Sequence, residues 1–375
     1  MNKKTITVFT SLLLLQLLGA QFSIAFAQGT LTPPGPPAPT MISLGQIEPR
    51  TPISSAPFII TQSGSYYLTT NLTVTGGSGN TNGISINANS VTLDLNGFKI
   101  SSTTPSAAGY GIEIGASVSV TNVTIFNGYV FSGVTDNGAG TYSGSGFACG
   151  IAYLVNARNV HVHEVSVTGC LIDGIYLPIN SSTTVVNCSV NEVGSYGIFA
   201  DSVTRSTASG CGADGIIADS ASDCVGSGAE AGVYGNGPLN NCYGSSLAGT
   251  GIYGNGNVNN CEGITVSGFG IQCSASVFNS VGYSSGNGTA INGYLVGNCY
   301  GSCPSGSGAG IVCYMVNNSY GLSHDGSGIS ASDLAFSSYG SSYSGYGITA
   351  YVANFCEGVN GSGYSISATY ANYSY

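Results

Sequence analysis

Charge is scarce in this chain. Only 6% of its 375 residues are charged, six Lys and Arg against sixteen Asp and Glu, where about a quarter is usual. That shortage argues against ordinary surface helices, and no window offers an amphipathic helix of useful length. Nucleic acid is excluded as a partner, because neutralising phosphates takes clustered Lys and Arg. After the N-terminus no apolar run is long enough to cross a bilayer.

The N-terminus itself reads as a cleaved secretory signal over residues 1–27: Lys3 and Lys4, an apolar stretch from Val8 to Leu18, then Ala25-Phe26-Ala27. Secretion to the extracellular space or cell surface is the expected localisation. Cleavage leaves four basic residues against sixteen carboxylates, a net charge of −12. Residues 28–56 form a linker and approach, stiff where Pro33-Pro34-Gly35-Pro36-Pro37-Ala38-Pro39 runs. Residues 57–375 are the folded domain.

What the chain does have is glycine, 58 residues, and 42% hydrophobic content. The two recur together. Gly-Ile or Gly-Val steps begin at Gly83, Gly111, Gly150, Gly174, Gly197, Gly215, Gly232, Gly251, Gly270, Gly310, Gly328 and Gly347, with Ala290-Ile291 and Ser365-Ile366 in the remaining places. A second marker, Asn-Cys/Ser-x-Gly, comes after the step, as in Asn241-Cys242-Tyr243-Gly244 and Asn298-Cys299-Tyr300-Gly301. Its Cys/Ser position advances from Cys188 to Ser374 in steps of 18 to 20 residues.

Such a period, with Gly at bends and alternations such as Val91-Thr92-Leu93-Asp94-Leu95, signals strands. One turn cannot bury its own apolar face, so turns must stack in parallel at about 4.8 Å. The fold class is therefore all-β: a single-stranded parallel β-helix of about 14 turns, 18–20 residues in each regular turn. The period does not set its hand: the right-handed form is expected because parallel crossovers overwhelmingly take it. A left-handed hexapeptide helix also uses eighteen residues per turn, a six-residue beat that Ile252, Val258 and Ile264 fit and most other turns do not. Asn before each Cys/Ser turns a corner in the left-handed conformation and bonds to the next Asn, while the Cys/Ser side chain points inward. The twelve Cys are expected to be mostly free, buried thiols. Cys242 and Cys261 are neighbours in the ladder, but their parallel Cβ vectors suit a disulfide poorly.

Segment 57–133, with Pro57-Phe58-Ile59-Ile60, Gly83-Ile84-Ser85-Ile86, Val91-Thr92-Leu93-Asp94-Leu95-Asn96-Gly97 and Asn122-Val123-Thr124-Ile125-Phe126-Asn127-Gly128, resembles the opening of bacterial secreted right-handed β-helix proteins of the pectin-lyase-like superfamily. The resemblance in pattern covers nearly all of the mature chain and implies the fold. Its members include lyases, hydrolases, epimerases and adhesins, so it does not select one activity.

Catalytic candidates are few: Arg158, His161, His163 and Glu164 within one early turn, and Arg205, which sits in register over Asp223 with Asn187 on its other side. On a strand the two His share one face and Glu164 takes the other. The paired carboxylates, Gly-His-Gly and Asp-Pro-His patterns expected of polysaccharide hydrolases and epimerases are absent. Asp201 and Asp219 hold equivalent places in a repeated Ala-Asp-Ser, where they either bridge a calcium ion or cap their own turns. His161 and His163 either hold a metal or act as acid and base, or form the polar outer face of an ordinary strand. Asp173, Asp214 and Asp325, each before Gly, read as turn residues. Residue x of the corner motif lines up Tyr243, Tyr300, Tyr320 and Tyr339 on the outside, available to contact sugar rings or to seal the sheet.

From Gly197 onward the turns are too short to wall a substrate groove, and the one sizeable insertion, Thr135 to Gly146, carries a single carboxylate, Asp136, and no basic side chain. The expected function is a secreted or cell-surface module, structural, adhesive or polysaccharide-binding, rather than a pectate-lyase-like lyase, a hydrolase or an epimerase with its site in the early turns. The partners expected are a polysaccharide or cell-surface matrix. The chain ends at Tyr375 within a turn, so end-to-end self-association is a further expectation.

Overall fold

A computed structural model describes residues 49–75, 80–115, 118–153, 157–361 and 363–375, with the side chains of 363 and 364 left aside. The signal and the Pro-rich segment lie outside the described residues. Within those residues every regular element is a strand, and Arg50–Tyr375 forms one compact unit.

The Gly-Ile steps stack as expected. Phe58 pairs in register with Ile84, and the column continues through Ile112, Ile151, Ile175, Ile198, Ile216, Val233, Ile252, Ile271, Ile291, Ile311, Ile329 and Ile348 to Ile366. From Ile84 to Ile348 every member is fully buried. The pairing between turns is parallel, and the solenoid has about 16 turns. The two beyond the expected 14 lie at the start, where no Gly-Ile step marks them: the turn holding Phe58, and the strand Thr51–Ile53, which pairs with Tyr66–Leu68. Turn length falls from 23 to 39 residues before Ile198 to 17 to 20 after it.

That shortening has a counterpart inside. Opposite the Gly of each step stands one inward column of another sheet: Ile100, Val130, Val167, Val190, Ala208, then Gly226, Gly244, Gly263 and glycine up to Gly358. A Cβ on Gly174 would meet the Val190 side chain at 2.3 Å, whereas one on Gly226 would meet the Gly232 carbonyl oxygen at 2.0 Å. The interior thus tapers from side-chain packing to backbone against backbone.

Corners match the sequence pattern closely. Asn187, Arg205, Asp223, Asn241, Asn260, Asn279, Asn298, Asn318, Ser337, Phe355 and Tyr373 all have φ between 46° and 57°. The next residue, Cys or Ser, points inward with a hydrogen-bonding role. Ser280 Oγ donates to the Phe278 carbonyl at 2.7 Å and accepts the Cys261 N–H of the preceding turn at 3.1 Å. Cys261 Sγ takes the Cys242 N–H at 3.4 Å and lies 3.3 Å from the Asn259 carbonyl. The two residue types interchange because each offers one small donor-acceptor atom on Cβ. A second corner uses buried hydroxyls that the repeat does not reveal: Ser246, Thr265 and Ser284 donate to the carbonyls of Ala229, Gly249 and Gly268 at 2.9 to 3.0 Å.

Candidate functional site

The outward face beside the first corner carries two parallel rows. In the amide row, Asn260 Nδ2 donates to Asn241 Oδ1 at 2.7 Å and Asn318 Nδ2 to Asn298 Oδ1 at 2.8 Å. Asn279 slips by one residue and donates to Asn259 at 2.9 Å, while Asn298 donates back to Asn279 at 3.2 Å. Next to it runs residue x, in register from Tyr243 through Glu262, Val281, Tyr300, Tyr320 and Tyr339 to Glu357.

Of the four expected tyrosines, three come together. Tyr300 and Tyr320 stack with ring centroids 5.5 Å apart, and Tyr320 and Tyr339 at 4.5 Å, with planes within 11° of parallel. Glu262 and Val281 separate Tyr243 from them. Between this row and Asn279, Asn298, Asn318 and Ser337 runs an open depression of about 440 Å³. Because each inner ring face covers its neighbour, the row presents ring edges and hydroxyls outward. Partial burial and the adjacent phenols hold the Tyr320 hydroxyl above its usual pKa.

The early-turn constellation lies in the strand Arg158–Cys170. His161 and His163 share the outer face between buried Val160, Val162 and Val165, as alternation requires. Glu164 differs from expectation: it takes φ 57°, a corner that breaks the alternation, and is exposed rather than opposite the histidines. Arg158 is exposed at the strand's start, near enough to Tyr153 to perturb it. His163 stacks on Phe126 at 4.9 Å.

His161 bridges two side chains, its Nδ1 2.5 Å from Thr184 Oγ and its Nε2 2.8 Å from Asn159 Oδ1. The Asn159 amide donates to Asn122 at 2.8 Å, which leaves its oxygen to accept from Nε2. Nδ1 is then the acceptor for the Thr184 hydroxyl. A base touching a hydroxyl and oriented by a third group is the arrangement of an activated nucleophile. Nothing in the sequence marks Thr184: its strand, Thr184–Val186, reaches the histidines only through the register with His161–His163, 23 residues earlier.

Arg205 sits where its register puts it. Its Nε donates to Asn187 Oδ1 at 2.9 Å, and hydrogen bonds from Asn241 and Ser222, with the Arg205 charge, hold the exposed Asp223 carboxyl below its usual pKa. Asp201 and Asp219 occupy equivalent places in adjacent turns but engage opposite neighbours. Asp201 accepts the backbone N–H groups of Asn180, Ser181 at 3.0 Å and Thr183 at 2.7 Å, and the Thr183 hydroxyl at 3.2 Å. Asp219 accepts from Asn236 Nδ2 of the next turn at 3.2 Å. Among the described residues no group of three or more His, Cys, Asp or Glu is placed to hold a metal ion.

Other carboxylates are more deeply placed than their turn positions suggest. Asp173 accepts the Tyr196 N–H at 3.1 Å, and burial raises its pKa. Burial, with Glu230 nearby, pushes Asp214 up to about 6. Glu113 is buried and accepts from Asn82 Nδ2 at 2.5 Å and Ser85 Oγ at 2.9 Å. Arg50 pairs with Asp94 at 3.0 Å and lies over the Tyr67 ring. The insertion folds as a hairpin, Gly133–Asp136 against Tyr142–Ser145, and the Tyr142 hydroxyl donates to the Gly210 carbonyl at 2.9 Å.

No protein-family model, curated protein or solved structure matches this chain.

Proposed function

We propose that the protein is an extracellular, non-catalytic module of the pectin-lyase-like β-helix type that binds polysaccharide on its corner groove. The observation that carries this reading is the stacked Tyr300–Tyr320–Tyr339 row beside the amide row, a regular polar surface repeated once per turn along a rigid rod. The sequence signal at residues 1–27 supports an extracellular setting. Short turns after Ile198 favour binding over catalysis, since no long loop walls the groove. Incubation with a panel of acidic and neutral polysaccharides tests it: retention without release of reducing or unsaturated ends, lost on combined Tyr300→Ala and Tyr320→Ala, is the expected result. Product release from any of these glycans defeats the non-catalytic part.

A second reading, a polysaccharide-active enzyme, is favoured by one contact, His161 against Thr184 with Asn159 behind it. Under that reading His161 takes the Thr184 proton as the hydroxyl attacks the anomeric carbon or ester carbonyl of a glycan. It returns that proton to the departing sugar or alcohol oxygen as its bond breaks, and water then releases the group held on Thr184. Glycan cleavage or de-esterification disappears in Thr184→Val and His161→Asn alike.

A further inference from the structure

The corner groove also constrains its ligand's charge and direction, provided that it is the polysaccharide-binding face proposed for it. After Arg205 the chain has no Lys or Arg, while eight carboxylates come later, from Asp214 to Glu357. The groove between Asn279 and Tyr339 is lined by amides, hydroxyls, phenols and Cys299, with Val281 as its one large aliphatic member. A polyanion approaching it would meet repulsion and no cationic partner. Hydroxyl-rich, uncharged polymers meet no such penalty.

Its hydrogen-bonding capacity is periodic. Each Asn that donates one N–H to the turn before it keeps a second N–H, and its carbonyl keeps a lone pair. Every turn of the Tyr300–Tyr339 stretch adds one phenol hydroxyl. The ring centroids advance by 4.5 to 5.5 Å, close to the length of one sugar unit in an extended glycan. A chain laid along the solenoid axis therefore keeps register with the groove over several turns, whereas one laid across it meets a single turn. The inner ring faces are occupied by neighbouring rings, so a ligand meets mainly hydroxyls and edges.

We infer that the groove between Asn279 and Tyr339 takes an uncharged, extended polysaccharide lying parallel to the solenoid axis, read by phenol hydroxyls and asparagine amides rather than by stacking on ring faces.

The test uses the full chain with two insoluble glycans, an uncharged β-glucan and polygalacturonate, at low and high salt, together with a Tyr300→Phe, Tyr320→Phe, Tyr339→Phe triple variant. Phe keeps the ring stack, so folding is preserved, and circular dichroism confirms it. The expected result is retention on the neutral glucan, unchanged by salt, and weakened at least about tenfold in the triple Phe variant. Salt-sensitive retention on polygalacturonate alone overturns the uncharged ligand but leaves polysaccharide binding standing. Full retention in the Phe variant, with loss in the corresponding Ala variant, overturns readout by hydroxyls. Retention on neither glycan or on any other member of the panel removes the binding reading and this inference with it.

Discussion

Gly251 faces Gly263 across the interior so closely that a Cβ on Gly251 would lie 2.8 Å from the Gly263 carbonyl carbon. One on Gly263 would come within 2.0 Å of the Gly270 carbonyl oxygen. Backbone cannot give way as a flexible side chain can. Gly263→Val should therefore lower stability by about 3 kcal/mol or more, read as a fall in the thermal midpoint. An unchanged midpoint would show that these sheets are farther apart than described.

The inward thiols should be inert in the folded protein. All twelve cysteines are free and buried, and burial pushes Cys188 and Cys299 up to about 11 and Cys211 and Cys313 to about 12. The thiolate is the reactive form. Cys261 is the exception, held below its usual pKa by its hydrogen bond with Cys242, but burial shields it as it does the others. A thiol reagent at neutral pH should therefore label none of the twelve in native protein and all after denaturation. Disulfides in nonreducing mass spectrometry would contradict this.

Within that column, Cys261→Ser should cost less than Cys261→Ala. Serine keeps an atom that accepts the Cys242 N–H and donates toward the Asn259 carbonyl, whereas alanine leaves both without their partner, a difference of about 1–2 kcal/mol. Equal midpoints for the two variants would show that the position needs only a small side chain.

Asp214 sets a pH dependence. Its folded pKa, about 6, lies above the ordinary 3.8 because burial penalises its charge. The folded state thus favours the protonated form, and stability falls as pH rises from about 4 to about 6, then levels. Asp214→Asn should stabilise the protein at pH 7 by about 2 kcal/mol and flatten that part of the profile. A variant with the same slope would place the titrating group elsewhere.

Asp201 should matter to stability without calcium. Its oxygens already accept four N–H and O–H donors of the 180–183 loop, so Asp201→Ala should cost about 2–3 kcal/mol. Added calcium should leave the midpoint of the unaltered protein where it is. A calcium-dependent rise that vanishes in the variant would make Asp201 a ligand.

The columns are legible in the sequence because parallel stacking repeats one turn's environment at every turn. Gly-Ile steps can be read as one fully buried column, Asn-Cys/Ser as a left-handed corner with its inward neighbour, and Tyr300, Tyr320 and Tyr339 as one outward row. The first two turns escape because Phe58 and Ile53 lie outside the Gly-Ile pattern. The Ser246–Thr265–Ser284 column escapes because its members, polar in sequence and without a marker residue beside them, are buried in the fold.

What sequence alone determined is the repeat, its β character and which residues share a column, all properties of spacing. What only tertiary structure decided is how those columns meet. Glutamate at position 164 turns a corner instead of alternating, Thr184 comes to His161 from the next turn, and the tyrosines cover one another's faces. Asp201 and Asp219 share a column yet bond in opposite directions. Each of these depends on side-chain direction and on the width of the interior, which narrows as valine gives way to glycine. Period fixes which residues are neighbours along the rod, but not the distance across it or where each polar atom finds its partner.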